Sequence, residues 1–76
     1  MTSVKIMLNT INDVKSFVNI VTKCPYEVDL VSGRYAVDGK SIMGIFSLDL
    51  AKAIQANIHG DDCKDFLESI KPFIVE

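Results

Sequence analysis

The chain has 76 residues, 49% of them hydrophobic and 24% charged, with a formal net charge of −2. That length makes a single domain, residues 1–76, with a thin core, because a chain this small leaves ~40% of its unfolded surface exposed. The acidic balance and the lack of a Lys/Arg cluster argue against nucleic acid held on a broad basic face, and no apolar run approaches the ~18 residues of a membrane span. The start, MTSVKIML, lacks the apolar core and small-residue cleavage site of a secretory signal, so the expectation is a cytoplasmic protein.

Val4–Leu8 alternates, with Ile6 and Leu8 on one face and Lys5 and Met7 on the other, which is strand periodicity. Asn9 or Thr10 then supplies an N-cap. Ile11, Val14, Phe17, Val18 and Val21 recur at helical spacing, and Cys24-Pro25 ends that helix, because the residue before proline is pushed out of helical geometry. Glu27–Ser32 alternates again, with Val28 and Leu30 inward. Ser32-Gly33 signals a turn, and Arg34–Asp38 returns as the second arm of a hairpin.

Asp38–Leu50, DGKSIMGIFSLDL, is the most unusual stretch. Ser41 stands where it can cap a short helix that ends near Leu48–Leu50. Ile42, Met43, Ile45, Phe46 and Leu48 make that helix apolar almost all round, and one short helix in so small a chain cannot bury every one of them. Ile45 and Leu48, three apart, suit the core. Ile42, Met43 and Phe46 remain as a partner surface, with Met and Phe as its natural anchors. A phosphate on Ser41 would meet the helix dipole beside that surface, so Ser41 is read either as a cap alone or as a cap that is also modified.

Ile54, Ala56 and Ile58 alternate with Gln55, Asn57 and His59 as a fourth strand. Gly60 breaks it, Asp61 and Asp62 favour a helix start, and Cys63, Phe66, Leu67 and Ile70 mark one face of a last helix closed by Pro72. The order is β-α-β-β-α-β-α. It implies an α+β fold: a four-stranded antiparallel sheet covered on one face by three helices, in two layers.

Other chemistry finds little support. Cys24 and Cys63 are too far apart in sequence for zinc-type spacing and read as free thiols. Asp61, Asp62, Asp65 and Glu68 lack a calcium-loop pattern and read as a solvated acidic face. Gly39-Lys40-Ser41 carries only the tail of a phosphate-binding loop. No cofactor and no metal are expected.

The run KSIMGIFSL closely resembles the K-S-I-M-G-V-M-S-L segment common in the HPr phosphocarrier proteins of the bacterial sugar phosphotransferase system. Val14 to Leu50 can be laid against such sequences without a gap, and the β-α-β-β-α-β-α order is that of the HPr fold, an open-faced two-layer β-sandwich. The resemblance implies that Ser41 is the serine modified by a dedicated HPr serine kinase in Gram-positive members, and that Ile42, Met43 and Phe46 belong to the docking surface. It also implies a loss. The family's G-x-H-x-R-P run, whose histidine accepts phosphate from phosphoenolpyruvate by way of enzyme I, is replaced here by Asn9-Thr10-Ile11-Asn12-Asp13-Val14. Thr10 stands for the histidine, Asn12 for the arginine and Asp13 for the proline. A threonine hydroxyl without an activating base is a poor phosphoryl acceptor, and Asp13 repels an incoming phosphate.

The expected function is therefore a non-enzymatic docking and regulatory module that binds phosphotransferase-system or regulatory proteins, an HPr serine kinase among them, as a monomer. A dimer through the apolar helix is the alternative state. The alternative function is a working phosphocarrier with an unconventional acceptor. His59, the single histidine, is the candidate for that role and otherwise reads as a solvated strand-end residue.

Overall fold

The computed structural model describes residues 1–75. In chain order these form β1 (Thr2–Ile6), α1 (Ile11–Lys23), β2 (Glu27–Ser32), β3 (Tyr35–Asp38), α2 (Ile42–Phe46), β4 (Ile54–His59) and α3 (Lys64–Ile70), followed by a 3-10 turn over Lys71–Phe73. The four strands make one antiparallel sheet in the order β1-β4-β2-β3. This is the α+β architecture that the sequence implies.

Strand alternation decides the two faces of the sheet. Ile6, Val28, Leu30, Ile54, Ala56 and Ile58 point inward and are fully buried, and they meet Val14, Phe17 and Val21 of α1, Ile45 of α2, and Phe66 and Ile70 of α3. The opposite face carries Ser3, Lys5, Gln55, Asn57, Asp29 and His59. It stays polar because no layer covers it. Ser3 Oγ and Gln55 Nε2 both donate to Asn57 Oδ1, at 2.8 Å each, tying β1 to β4 on that side.

Several boundaries move from the sequence reading, each for a local reason. β1 ends at Ile6, two residues before Leu8; Leu8 is still buried, but from the loop leading to α1. Gly33 takes a left-handed φ of +60°, and the turn it makes includes Arg34, so β3 starts at Tyr35. α2 stops at Phe46, short of Leu48–Leu50. Ser47 and Leu48 donate to the carbonyls of Gly44 and Ile45, three residues back, and tighten the end of the helix. α3 begins at Lys64, after Cys63, and not at Asp61 or Asp62. The chain also runs past the expected stop at Pro72 as a 3-10 turn, which its missing N–H tolerates near the start of a helical turn.

Both cysteines are free thiols. Cys24 is half-buried, its Sγ 3.3 Å from the Tyr26 carbonyl, and Cys63 is buried near Thr2.

Candidate functional site

Thr10, Asn12 and Asp13 lie at the start of α1. Thr10 has extended backbone geometry (φ −133°, ψ 166°) and caps the helix by accepting from the Asp13 N–H at 3.0 Å. Asp13 answers with its own carboxylate: Oδ2 accepts from the Asn9 N–H at 2.9 Å and from the Thr10 N–H at 3.3 Å. The result is a reciprocal capping box, with aspartate in place of the more usual glutamate. The Asp13 carboxylate is thus fixed on the N–H groups of Asn9 and Thr10, just ahead of the first turn, where its charge opposes an incoming anion. Ile11 is 63% exposed, although its spacing suggests an inward position. The first turn of α1 overhangs the core, so periodicity alone assigns it to the wrong side.

α2 opens differently. Ser41 (φ −94°, ψ 100°) is its N-cap, and its hydroxyl oxygen accepts from the Gly44 N–H at 3.1 Å. No acidic residue lies in the first turn. Asp38, just before it, turns its carboxylate to the Lys40 N–H at 2.9 Å. Lys40 Nζ stands 3.9 Å from Glu27 Oε1, an exposed pair of small energetic weight. Gly44 lets α2 sit close to its neighbours: a β-carbon there would come within 3.0 Å of Ser41 Oγ and 3.2 Å of Val37 Cβ. A glycine at that position keeps both the cap and the contact with β3.

The apolar residues in and just beyond α2 divide into a buried and an exposed set, with Ile42, expected on the partner surface, between them. Ile45 is fully buried and Leu48 nearly so. Met43 is 77% exposed, Phe46 39% exposed, and Ile42 is half-buried against the core. Burial of Ile45, with Leu48 just beyond the helix, anchors these 5 residues, while Met43 and Phe46 face outward. α2 packs against α1 and β3, so it shares the helix-covered side of the molecule with Thr10.

His59 lies elsewhere. The chain leaves β1 at Ile6, opposite Ile54, and α1 begins from that end. His59 closes the other end of β4, opposite Glu27, about 17 Å along the strand from Ile54 at the usual rise per residue. Its side chain is on the uncovered face, with Nε2 2.8 Å from Asp29 Oδ2. The structure therefore does not bring His59 to Thr10. Asn12, on the first turn of α1, is exposed and makes no side-chain hydrogen bond among the described contacts.

Among the described residues no group of three or more His, Cys, Asp or Glu side chains could hold a metal ion. None of the helices among the described residues is long and apolar enough to cross a membrane. Tyr26 lies outside both helix starts. Burial of the Tyr26 ring, and after it the Asp62 charge, pushes the Tyr26 hydroxyl up from its ordinary 10.0 while that hydroxyl donates to the Asp62 carbonyl.

The sequence matches no protein-family model and no curated protein. Solved structures do match the fold. HPr-C-His from Thermoanaerobacter tengcongensis superposes with a TM-score of 0.78 at 23% identity, over 95% of this chain and 89% of that one. The phosphocarrier protein HPr from Bacillus anthracis str. Ames gives 0.70 at 23% identity, over 96% and 93%. The histidine-containing phosphocarrier protein of a mycoplasma gives 0.71 at 17% identity, over 93% and 86%. Each match covers most of both chains, and the chain has the fold of the HPr phosphocarrier proteins.

Proposed function

We propose that this chain is a non-catalytic protein-docking and regulatory module. It binds protein partners through Ile42, Met43 and Phe46, is open to phosphorylation at Ser41, and carries no phosphate at the start of α1. The observation that carries this reading is the contrast in chemistry between Thr10 and Met43. Thr10 and Asp13 use their side chains to satisfy each other's backbone, with no imidazole beside them. Met43 leaves most of its surface in water on a helix whose inward side is already packed.

Met and Phe side chains on an exposed helix gain the most when a partner desolvates them, so they suit the centre of an interface. By similarity to the HPr proteins, the partners are components of the phosphotransferase system or regulators that read it, including an HPr serine kinase. A phosphoryl group on Ser41 would add a charge of about −1.5 to −2 next to Ile42 and Met43, stabilised by the free N–H groups of the first turn. The added charge would alter which partner surface fits.

Two incubations test the proposal, each read by intact mass and peptide mapping. With an HPr serine kinase and ATP, one phosphoryl group is expected on Ser41. With enzyme I and phosphoenolpyruvate, none is expected anywhere. A phosphohistidine at His59 would establish the alternative, a carrier with an unconventional acceptor.

A further inference from the structure

β1 is an edge strand, bonded to β4 on one side only. Part of its outer edge is covered by the chain's own last described residues. The Met7 N–H donates to the Phe73 carbonyl at 2.8 Å, and the Val75 N–H donates to the Lys5 carbonyl at 2.9 Å. Ile74 bridges Ile6 between them in antiparallel sense. Phe73 secures the segment by setting its ring edge-on to Phe17, centroids 6.0 Å apart at 83°. Beyond Phe73 the hold is slight: Ile74 is half-buried and Val75 is 55% exposed.

We propose that Phe73–Val75 is a strap that seals the β1 edge, and that its release lets two copies of this chain join β1 to β1 about a two-fold axis. An uncovered edge is a row of unpaired N–H and C=O groups that templates a further strand. With the strap in place only Thr2–Val4 remains free, because the Lys5 C=O is already taken by the Val75 N–H. Without it the free edge extends over the whole of Thr2–Ile6.

Antiparallel pairing of a strand with itself is self-complementary, which suits a closed dimer. The side chains of β1 permit it. A pairing centred on Val4 sets Lys5 of one copy opposite Ser3 of the other, so the two lysines do not face each other. Val4 and Ile6 stay on the apolar side and Ser3 and Lys5 on the polar side, so each face of the sheet continues across the junction. The groups that the strap occupies, the Lys5 C=O and the Met7 N–H, already pair with an antiparallel neighbour, so an added backbone fits there.

Val75→Pro tests the proposal on the full chain. It deletes the one N–H that reaches Lys5, and Ile74 already has the extended geometry (φ −73°, ψ 128°) that a following proline requires. A chain ended after Phe73 is a second variant that keeps the Phe17 contact, and Val75→Ala, which keeps the N–H, is the control. Sedimentation equilibrium across a wide concentration range is expected to show a monomer for the unaltered chain and for Val75→Ala. In both strap variants the apparent mass is expected to rise toward about twice the monomer's. Amide exchange at Met7 in Val75→Pro, measured at low concentration, is expected to quicken at least about tenfold. Strap variants that stay monomeric at every concentration overturn the proposal. So does an unchanged Met7 exchange rate, or self-association of the unaltered chain or of Val75→Ala.

Discussion

α1 begins with Thr10 and Asp13 each bonding the other's backbone, whereas α2 begins with Ser41 alone holding the Gly44 N–H. The first arrangement puts a fixed carboxylate on the donors at the helix mouth. The second leaves a neutral hydroxyl at a first turn with no acid in it. An added phosphate would meet a carboxylate at the first site, which offsets the helix dipole's attraction, and none in the first turn of the second. The two helices also differ in what they bury. α1 puts Val14, Phe17 and Val21 into the core along 13 residues, whereas α2 anchors 5 residues through Ile45 and leaves Met43 in water. Under the proposed docking role, stability and partner contact are therefore separable on α2, since Ile45 is buried and Met43 is exposed.

The largest effect expected from breaking that division comes from Ile45→Ala. It removes the inward anchor of α2 and costs ~2–5 kcal/mol in urea unfolding, through lost burial and an incompletely filled cavity. Loss of the caps comes next. Thr10→Ala and Ser41→Ala each cost ~0.5–2 kcal/mol. Thr10→Ala lies at the lower end of that range if the Asp13 carboxylate goes on holding Asn9 and Thr10, and the same urea experiment resolves the difference.

Met43→Ala sharpens the contrast from the other side. It changes stability by less than ~0.5 kcal/mol, as exposed substitutions do. Binding to an HPr-type partner, measured by calorimetry, is expected to weaken by at least ~1 kcal/mol. The smallest effect concerns Tyr26, away from both helix starts. Its hydroxyl is raised in the folded state, so the fold holds that proton more tightly than the unfolded chain does. The stabilisation is present in full below the ordinary tyrosine value of 10.0 and is lost as pH climbs through it toward the folded value. Tyr26→Phe is expected to flatten that alkaline slope in thermal melts taken from neutral pH to above about 10.

Much of the fold was legible in the sequence because period-2 and helical spacing report directly which side chains face the core. Val28, Leu30, Ile54, Ala56 and Ile58 are all inward as the alternation suggests. Ile11 broke the rule because periodicity cannot tell a helix's overhanging first turn from its packed middle. The Phe73–Val75 pairing with β1 was not legible either. It consists of two backbone bonds and one bridge, contacts that leave no pattern in side-chain type.

At the candidate site the cap residues Thr10 and Ser41 could be read from their positions before apolar runs. The fold-back of Asp13 could have been read as well, since a threonine followed three residues later by an acid is the capping-box signature. Its charge alone indicates repulsion of an anion, whereas its hydrogen bonds to Asn9 and Thr10 follow from the spacing to Thr10. The distance of His59 from Thr10 required the strand register, which only the folded sheet supplies.

The central claim is that the scaffold is kept while the mouth of α1 no longer takes phosphate. Intact mass after incubation with enzyme I and phosphoenolpyruvate, beside a phosphorylatable HPr as positive control, tests it most directly. The account predicts an unmodified chain next to a fully shifted control; a phosphoryl group on Thr10 or on His59 would contradict it.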